Sequence, residues 1–430
     1  MHGQVLEIAE VIALGLVIFL IVLVLFEPGL KYKIKPRPLA TDGPEFAKML
    51  AALCDAEAHT MRAVEVLDNG DQFYPAELAA IAGARHTVHL ESYIFQKGEI
   101  ATRIVEALTE RAKAGVKVKV VIDSVGSFMT PDKLFDALRA AGGRVEWYQP
   151  LKWYTFKRWN NRTHRKLLVV DGTVAFAGGA DVGDDWLKGS HDDPKWRDTV
   201  FRFEGQIVTG LQSTFAENWL EASEEILADD DYFPLTRDAD PGADDGAVGM
   251  VVNSTPSAAR GSRARILYQT IMAYAGRSIR ITTPYFLPDR SSLCEIVTAA
   301  KDRGVKVTLL TPGKHSDHLM TRSSARRRYG DLLKAGVEVY EYRPSMIHTK
   351  TLVVDGLWSI VGSTNFDNRS FGLNDEVNVA VRDAKLAGRL EEDFCRDLEN
   401  SRRITLEDWK NRPLREKLFE HLFRIFDRQF

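Results

Sequence analysis

Two stretches of the chain read alike: HRKLLVVDGTVAFAGGADVGD from His164 to Asp184, and HTKTLVVDGLWSIVGSTNFDNRS from His348 to Ser370. Each carries a His-x-Lys-x4-Asp motif followed by a Gly-rich turn. His164 and His348, Lys166 and Lys350, Asp171 and Asp355, and Gly178 and Gly362 all stand 184 positions apart. An offset held over that length marks an internal duplication. The unbroken apolar runs in LLVVD and TLVVD predict buried strands. His and Lys, two residues apart on the approach to each strand, point to the same face.

The repeat extends outward from these motifs. The first copy begins at HTVHLESYIF and continues through a helical ATRIVEALTERAKAG, a strand VKVKVVID, a helical KLFDALRAAGG and a strand RVEWYQP. The second reads RSIRITTPYFLPD, SLCEIVTAAKDRG, VKVTLLTP, YGDLLKAG and VEVYEYRP. Short Val/Ile-rich runs alternating with helical patterns that end in Gly predict β-α-β units, with a mixed or parallel sheet in each half. The expected division is an apolar segment with a basic flank over 1–37 and a helical linker over 38–75. A first α/β domain over 76–228, an Asp/Gly-rich linker over 229–246, a second α/β domain over 247–401 and an amphipathic helix over 402–430 complete it.

Composition limits the function classes. The chain has 430 residues, enough for two core-bearing domains, and a formal net charge of -3, so there is no chain-wide basic field for nucleic acid. Cys54, Cys294 and Cys395 are too far apart for a zinc site or a CxxC pair, and read as buried, reduced thiols. The apolar run from Val5 to Phe26 is long enough to cross a bilayer, with Glu7 and Glu10 at the interface. Lys31, Lys33, Lys35 and Arg37 follow it, so the positive-inside bias places the bulk of the chain in the cytoplasm.

Duplication alone accounts for repeated strands and helices, because it preserves a core. It does not account for shared His, Lys and Asp at fixed spacing. Two such strands facing one another would bring two imidazoles and two ammonium groups to one site. The lysines would hold the non-bridging oxygens of a phosphodiester and stabilise its transition state. One imidazole would attack phosphorus and the other would protonate the leaving alcohol, with roles reversed when the acceptor enters. That chemistry calls for no metal and no cofactor.

The paired motifs resemble the HKD motifs of the phospholipase D superfamily. The flanking words ESYIF, GGADVGDDW, KWRDTVFRFEG, TPYFLPD and STNFDNRSFGLNDE resemble its bacterial cardiolipin synthase branch. The likeness runs from about residue 75 to the C-terminus. It implies two duplicated α-β-α domains with one active site at their interface, here preceded by a single transmembrane helix. It implies that His164 is the nucleophile and His348 the general acid and base, an assignment that the residues alone leave open to exchange. Lys166 and Lys350 would hold phosphate, with Ser363 and Asn365 lining the pocket. Asp171 and Asp355 belong to the catalytic motifs as hydrogen-bond acceptors within them, and Asp198 and Glu376 would orient the histidines. One position departs from the pattern: Asp181 stands where the second copy and the family have Asn, and a carboxylate there would repel phosphate unless turned away or paired.

The resemblance also supplies the reaction, transfer of a phosphatidyl group from one phosphatidylglycerol to another with release of glycerol. The expected partners are anionic phospholipids and the membrane, with no nucleic acid, and homo-oligomerisation is left open. The expected location is the inner membrane, single-pass, with cytoplasmic catalytic domains. A loop from Lys152 to Arg162, KWYTFKRWNNR, mixes aromatic and basic residues as a lipid–water interface requires. The tail from Arg412 to Phe430 places Leu414, Leu418, Leu422, Ile425 and Phe426 at helical spacing. The alternatives are a phospholipid hydrolase of the same superfamily, a nuclease built on the same motifs, and an inactive membrane scaffold.

Overall fold

The computed structural model describes residues 12, 14–17, 19, 34–153, 160–189, 194–234, 247–256, 262–317, 319–414, 416 and 417. After α1 (Pro44–Cys54), the first half comprises β1 (Ala58–Asp68), α2 (Gly70–Gly83), β2 (Thr87–Ser92), α3 (Glu99–Lys113), β3 (Lys117–Asp123), β4 (Arg144–Tyr148), β5 (Arg162–Thr163), β6 (Leu167–Val170), β7 (Val174–Gly178), β8 (Thr199–Gly205) and α4 (Ile207–Ser223). The second half repeats the plan. It comprises β9 (Val248–Ser254), α5 (Arg263–Ala273), β10 (Ser278–Thr282), β11 (Phe286–Leu287), α6 (Arg290–Lys301), β12 (Lys306–Pro312), α7 (Leu319–Lys334), β13 (Glu338–Tyr342), β14 (Thr351–Val354), β15 (Trp358–Gly362), β16 (Phe366–Asp367), β17 (Asn374–Arg382), α8 (Ala384–Glu399) and β18 (Ser401–Ile404).

The strand order in the first half is β4-β3-β2-β6-β7-β8-β1, and in the second it is β13-β12-β10-β14-β15-β17-β9. In each, three strands run parallel and the remainder antiparallel. The parallel steps follow from the crossover helices. On α3, Ile100, Ile104, Val105 and Leu108 recur at helical spacing and are all buried. The antiparallel steps β6–β7 and β14–β15 follow from Asp-Gly turns. Asp171 and Gly172 have φ of 51° and 61°, and Asp355 and Gly356 have 57° and 63°, left-handed pairs that make tight turns within the three-residue loops 171–173 and 355–357.

The stretch 38–75, expected to be helical, contains the 11-residue strand β1. Its Ala, Glu, Met and Arg residues favour helix locally, but sheet neighbours on both sides override that preference. Ala58–Thr60 pair with β9, and Met61–Asp68 pair with β8, so β1 joins the two half-sheets into one. By its place in the strand order β1 is the counterpart of β9, and the repeat therefore starts before residue 76. The two halves also share a core, in which Leu167, Val169 and Phe201 pack with Val353, Val361, Val377 and Val379 under Leu211, Phe215 and Trp219 of α4. Each fully buried aliphatic side chain contributes about 1.5–3 kcal/mol, so this seam holds the halves as one body.

Most of the apolar N-terminal run lies outside the described residues. Among those described, no helix is long and apolar enough to cross a membrane. Residues 154–159 of the aromatic-basic loop, 235–246 of the linker and 418–430 of the tail are likewise outside. The region 402–430 begins with the end of β18 and a short helix, Leu406–Lys410, rather than with a continuous amphipathic helix. Cys54 is buried, but Cys294 and Cys395 are exposed, because each sits on the polar side of its helix.

Candidate active site

Two backbone stitches carry each histidine to the opposite half. β5 pairs with the start of β17, Arg162 beside Asn374 and Thr163 beside Asp375, and the His164 N–H donates to the Asp375 carbonyl at 2.9 Å. In the related position Arg197 pairs with Ile347, and the His348 N–H donates to the Arg197 carbonyl at 2.7 Å. The histidine of one copy is thereby set against the acidic word of the other. His164 Nδ1 lies 3.0 and 3.1 Å from the two Glu376 oxygens, and His348 Nδ1 lies 2.9 Å from Asp198 Oδ2. All four side chains are buried.

The carboxylates are themselves fixed. Ser363 Oγ donates to Glu376 Oε2 at 2.5 Å and accepts the Val377 N–H at 3.0 Å. Ser363, expected to line the pocket, is thus fully buried behind Glu376 and holds it in place. Asp198 accepts Trp186 Nε1 at 2.9 Å and the Thr199 N–H at 2.8 Å. Burial pushes Glu376 up to about 7, against the Ser363 hydrogen bond and the Lys166 charge. Burial acts on Asp198 in the same sense, yet the His348 hydrogen bond and the Lys350 charge outweigh it and hold this carboxyl below its usual range. Burial, then Lys166 and Lys350, hold His164 well below its ordinary value; burial and then Lys350 lower His348. Both imidazoles are therefore neutral near pH 7. A carboxylate at Nδ1 fixes the proton there and leaves Nε2 with its lone pair.

The lysines differ. Lys166 Nζ donates to the His164 carbonyl at 2.8 Å, stands 3.1 Å from Asp181 Oδ2 and lies 5.3 Å from the centre of the Tyr93 ring. Lys350 Nζ faces the His348 ring, 2.9 Å from Nδ1 and 3.1 Å from Nε2. Burial pushes Lys350 down to about 7, with Asp198 opposing and Lys166 adding to the fall. Asp181 is both paired and turned: its Oδ1 accepts Ser92 Oγ at 2.9 Å and the Tyr93 N–H at 3.0 Å, while Oδ2 meets Lys166. Asn365, its counterpart in the second copy, is buried, and its Oδ1 has no hydrogen-bond partner among the described residues. Charges on Lys350 and His348 act on His164, and those on Lys166, Glu376 and Asp181 act on Lys350, so these groups form one electrostatic unit.

Asp171 and Asp355 stand outside that unit. Asp171 accepts the N–H groups of Arg85, His86 and Thr87 at 2.7–3.2 Å, and Asp355 accepts those of Gly276, Arg277 and Ser278 at 2.7–2.8 Å. Each lies five residues beyond its lysine, about 16 Å along an extended strand, and pins the start of the neighbouring antiparallel strand, β2 or β10. Both are hydrogen-bond acceptors, as expected of them within the motifs, and these contacts brace the sheet.

A family model described as "Cardiolipin synthase, PLD-like domain" matches residues 78–192 and 268–398, more than half of the chain. The chain belongs to this family. The major cardiolipin synthase ClsA of Bacillus subtilis is 36% identical over 365 residues, covering 84% of this chain and 74% of the relative. Cardiolipin synthase 1 of Bacillus anthracis is 32% identical over 400 residues, covering 90% and 76%. A solved phosphatidylserine synthase of Haemophilus influenzae has the same fold, with a TM-score of 0.68 at 14% identity over 89% of this chain and 97% of that one. Both family matches begin after the first strand of their half, which leaves β1 and β9 as the flanking strands that join the sheet.

Four aromatic residues that motif reading did not single out surround the two histidines. The Tyr93 ring centre lies 5.2 Å from that of His164. Trp186, Trp196 and Tyr285 lie 5.5, 5.4 and 6.4 Å from His348. Each stands inside a word that carried the resemblance, namely ESYIF, GGADVGDDW, KWRD and TPYFLPD. Their signal was an aromatic residue beside each polar motif. They exclude water from the imidazoles and so strengthen every charge interaction there.

Proposed function

We propose that the chain synthesises cardiolipin by phosphatidyl transfer between two phosphatidylglycerol molecules, through a phosphohistidine on His164. The observation that carries this reading is the crossed pair of buried histidine–carboxylate contacts, His164 with Glu376 and His348 with Asp198. The neutral His164 Nε2 attacks phosphorus, and the bond from phosphorus to the glycerol oxygen breaks. His348, which takes up a proton when the anionic phosphate offsets the lysine charges beside it, gives that proton to the departing oxygen and glycerol leaves. His348, now neutral, takes the proton from a hydroxyl of the second phosphatidylglycerol. That oxygen attacks phosphorus, the phosphorus–nitrogen bond breaks and His164 is restored.

The two carboxylates support the division of roles. An imidazole must be protonated to act as acid, and the ionised Asp198 stabilises a protonated His348. Glu376, raised by burial, stabilises a positive His164 less. Lys166 and Lys350 supply the positive charge for the phosphorane oxygens, and Asn365 supplies an amide beside them. The Val5 to Phe26 run anchors the enzyme once in the inner membrane, with both halves on the cytoplasmic side, in line with the basic residues that follow it.

The test is purified full-length protein with labelled phosphatidylglycerol, without CTP or added metal. Cardiolipin and glycerol are expected in equal amounts, and none from His164→Ala. Unchanged synthesis by that variant rejects the mechanism. Phosphatidic acid as the sole product replaces transfer with hydrolysis.

A further inference from the structure

The structure assigns a bilayer-docking face to the turns that follow β3 and β4, where apolar side chains border an open groove whose walls are hydrogen-bonded to the segments that carry His164 and Tyr93. Phe128 and Met129 are 75% and 77% exposed, and Leu151 and Trp153 are 57% and 84% exposed. Single exposed apolar residues are ordinary, but four large ones on two adjacent turns are not. Both turns leave the C-terminal ends of neighbouring parallel strands, so they lie on one edge of the sheet. Phe128 and Leu151 line the same groove, together with Ser127, Trp147 and Pro150. Its volume is about 610 Å³, within the size range of small-molecule sites.

Hydrogen bonds tie the groove walls to the candidate site. Arg162, two residues before His164, donates to Ser124 Oγ at 3.2 Å on one turn and to the Gln149 carbonyl at 3.0 Å on the other. Ser127 Oγ donates to the Tyr93 carbonyl at 2.8 Å, and the Tyr93 ring packs on His164. Trp147, in the groove wall, is fixed by its Nε1 bond to Asp132 at 2.9 Å.

The occupant is the surface of a phospholipid bilayer, an identity that rests on the phosphatidyl-transfer reading. The reacting phosphate enters a cluster of buried polar groups, so the acyl chains of the donor must leave along apolar surface. Of the surfaces tied to His164 by the bonds above, this groove is apolar. Trp153 and the exposed Lys152 beside it suit the headgroup boundary, where an aromatic ring and a basic side chain are both favoured. Insertion of Phe128, Met129 and Trp153 by about 5–10 Å would set the groove mouth level with the acyl chains.

The experiment uses the full chain in phosphatidylglycerol vesicles, with Cys294→Ser and Cys395→Ser removing the exposed thiols and an environment-sensitive fluorophore at Met129→Cys. Its emission should shift to the blue and be quenched by lipids brominated in their acyl chains. The same label at Ala114→Cys, before the other end of β3, should stay aqueous. In unlabelled protein, Met129→Ser with Trp153→Ser, neither of which lines the groove, should lower turnover of vesicle phosphatidylglycerol about tenfold or more, and leave that of a short-chain monomeric analogue unchanged. An aqueous signal at position 129, or equal loss on both substrates, overturns the docking face. A buried label in a protein that makes no product from any phospholipid leaves the docking face standing and overturns the catalytic reading.

Discussion

His164 Nδ1 and the Glu376 carboxylate, 212 residues apart in sequence, meet at 3.0 Å in a buried contact that neither half of the chain can make alone. The reciprocal contact joins His348 to Asp198. Each imidazole thus has its tautomer set by the opposite copy. Glu376→Gln or Asp198→Asn should lower kcat by roughly 10²–10⁴-fold with little change in KM, since a neutral amide neither fixes the tautomer nor stabilises the imidazolium. Steady-state rates on phosphatidylglycerol check this; a change confined to KM would assign these residues to binding instead.

Asp181 neutralises Lys166 in the resting site, whereas the corresponding Asn365 leaves Lys350 without a carboxylate at that position. An anionic phosphate must compete with Asp181 for the first lysine. Asp181→Asn should therefore tighten binding of inorganic phosphate as an inhibitor by roughly tenfold, the size expected from removing one charge a few ångströms from the ligand. Titration by calorimetry reads this directly. Equal affinities in the two proteins would show that Lys166 does not reach the ligand.

The pH dependence follows from Lys350, whose amine burial pushes down to about 7. Below that value it is an ammonium and holds phosphate; above it the charge is lost. kcat/KM, which reports the free enzyme, should fall as pH rises through about 7. kcat should be less affected, because bound phosphate restores the proton. In Lys350→Arg, which stays charged, the alkaline fall should move upward by more than one unit. A profile identical in both proteins would assign the limb to another group.

Asp171→Ala should cost stability, not chemistry. Its carboxylate accepts three backbone N–H groups and it holds a left-handed φ of 51°. Losing both should destabilise the fold by about 3 kcal/mol, and Asp171→Asn, which tolerates the backbone and keeps one acceptor, by about 1 kcal/mol. Denaturant unfolding measures the loss. Activity per folded molecule should be retained.

The duplication, the α/β class and the paired His and Lys residues were legible because repeated motifs stand at a fixed offset and strands alternate with Gly-ended helices; Asp198 and Glu376 were implied by the family resemblance of their flanking words. What was not legible depends on pairing across the halves. β1 reads locally as helix and becomes a strand only because β8 and β9 flank it. The sequence offers Asp198 and Glu376 as orienting acids but not which histidine each holds, since that is decided by the stitches at Asp375 and Arg197. The family resemblance implies Ser363 as a pocket residue, yet its hydroxyl is directed to Glu376. Asp171 and Asp355 share the motif with the histidines, but a fully extended strand carries them away from the chemistry.

The central claim is that two imidazoles, one from each copy, act on one phosphorus atom. Rapid alkaline quenching of the enzyme with phosphatidylglycerol labelled at phosphorus should trap the label on His164, located by peptide mapping. The label should build up in His348→Ala, supplied with a donor whose leaving group needs no proton, and vanish in His164→Ala. Label on neither histidine in an enzyme that still forms cardiolipin would contradict the account.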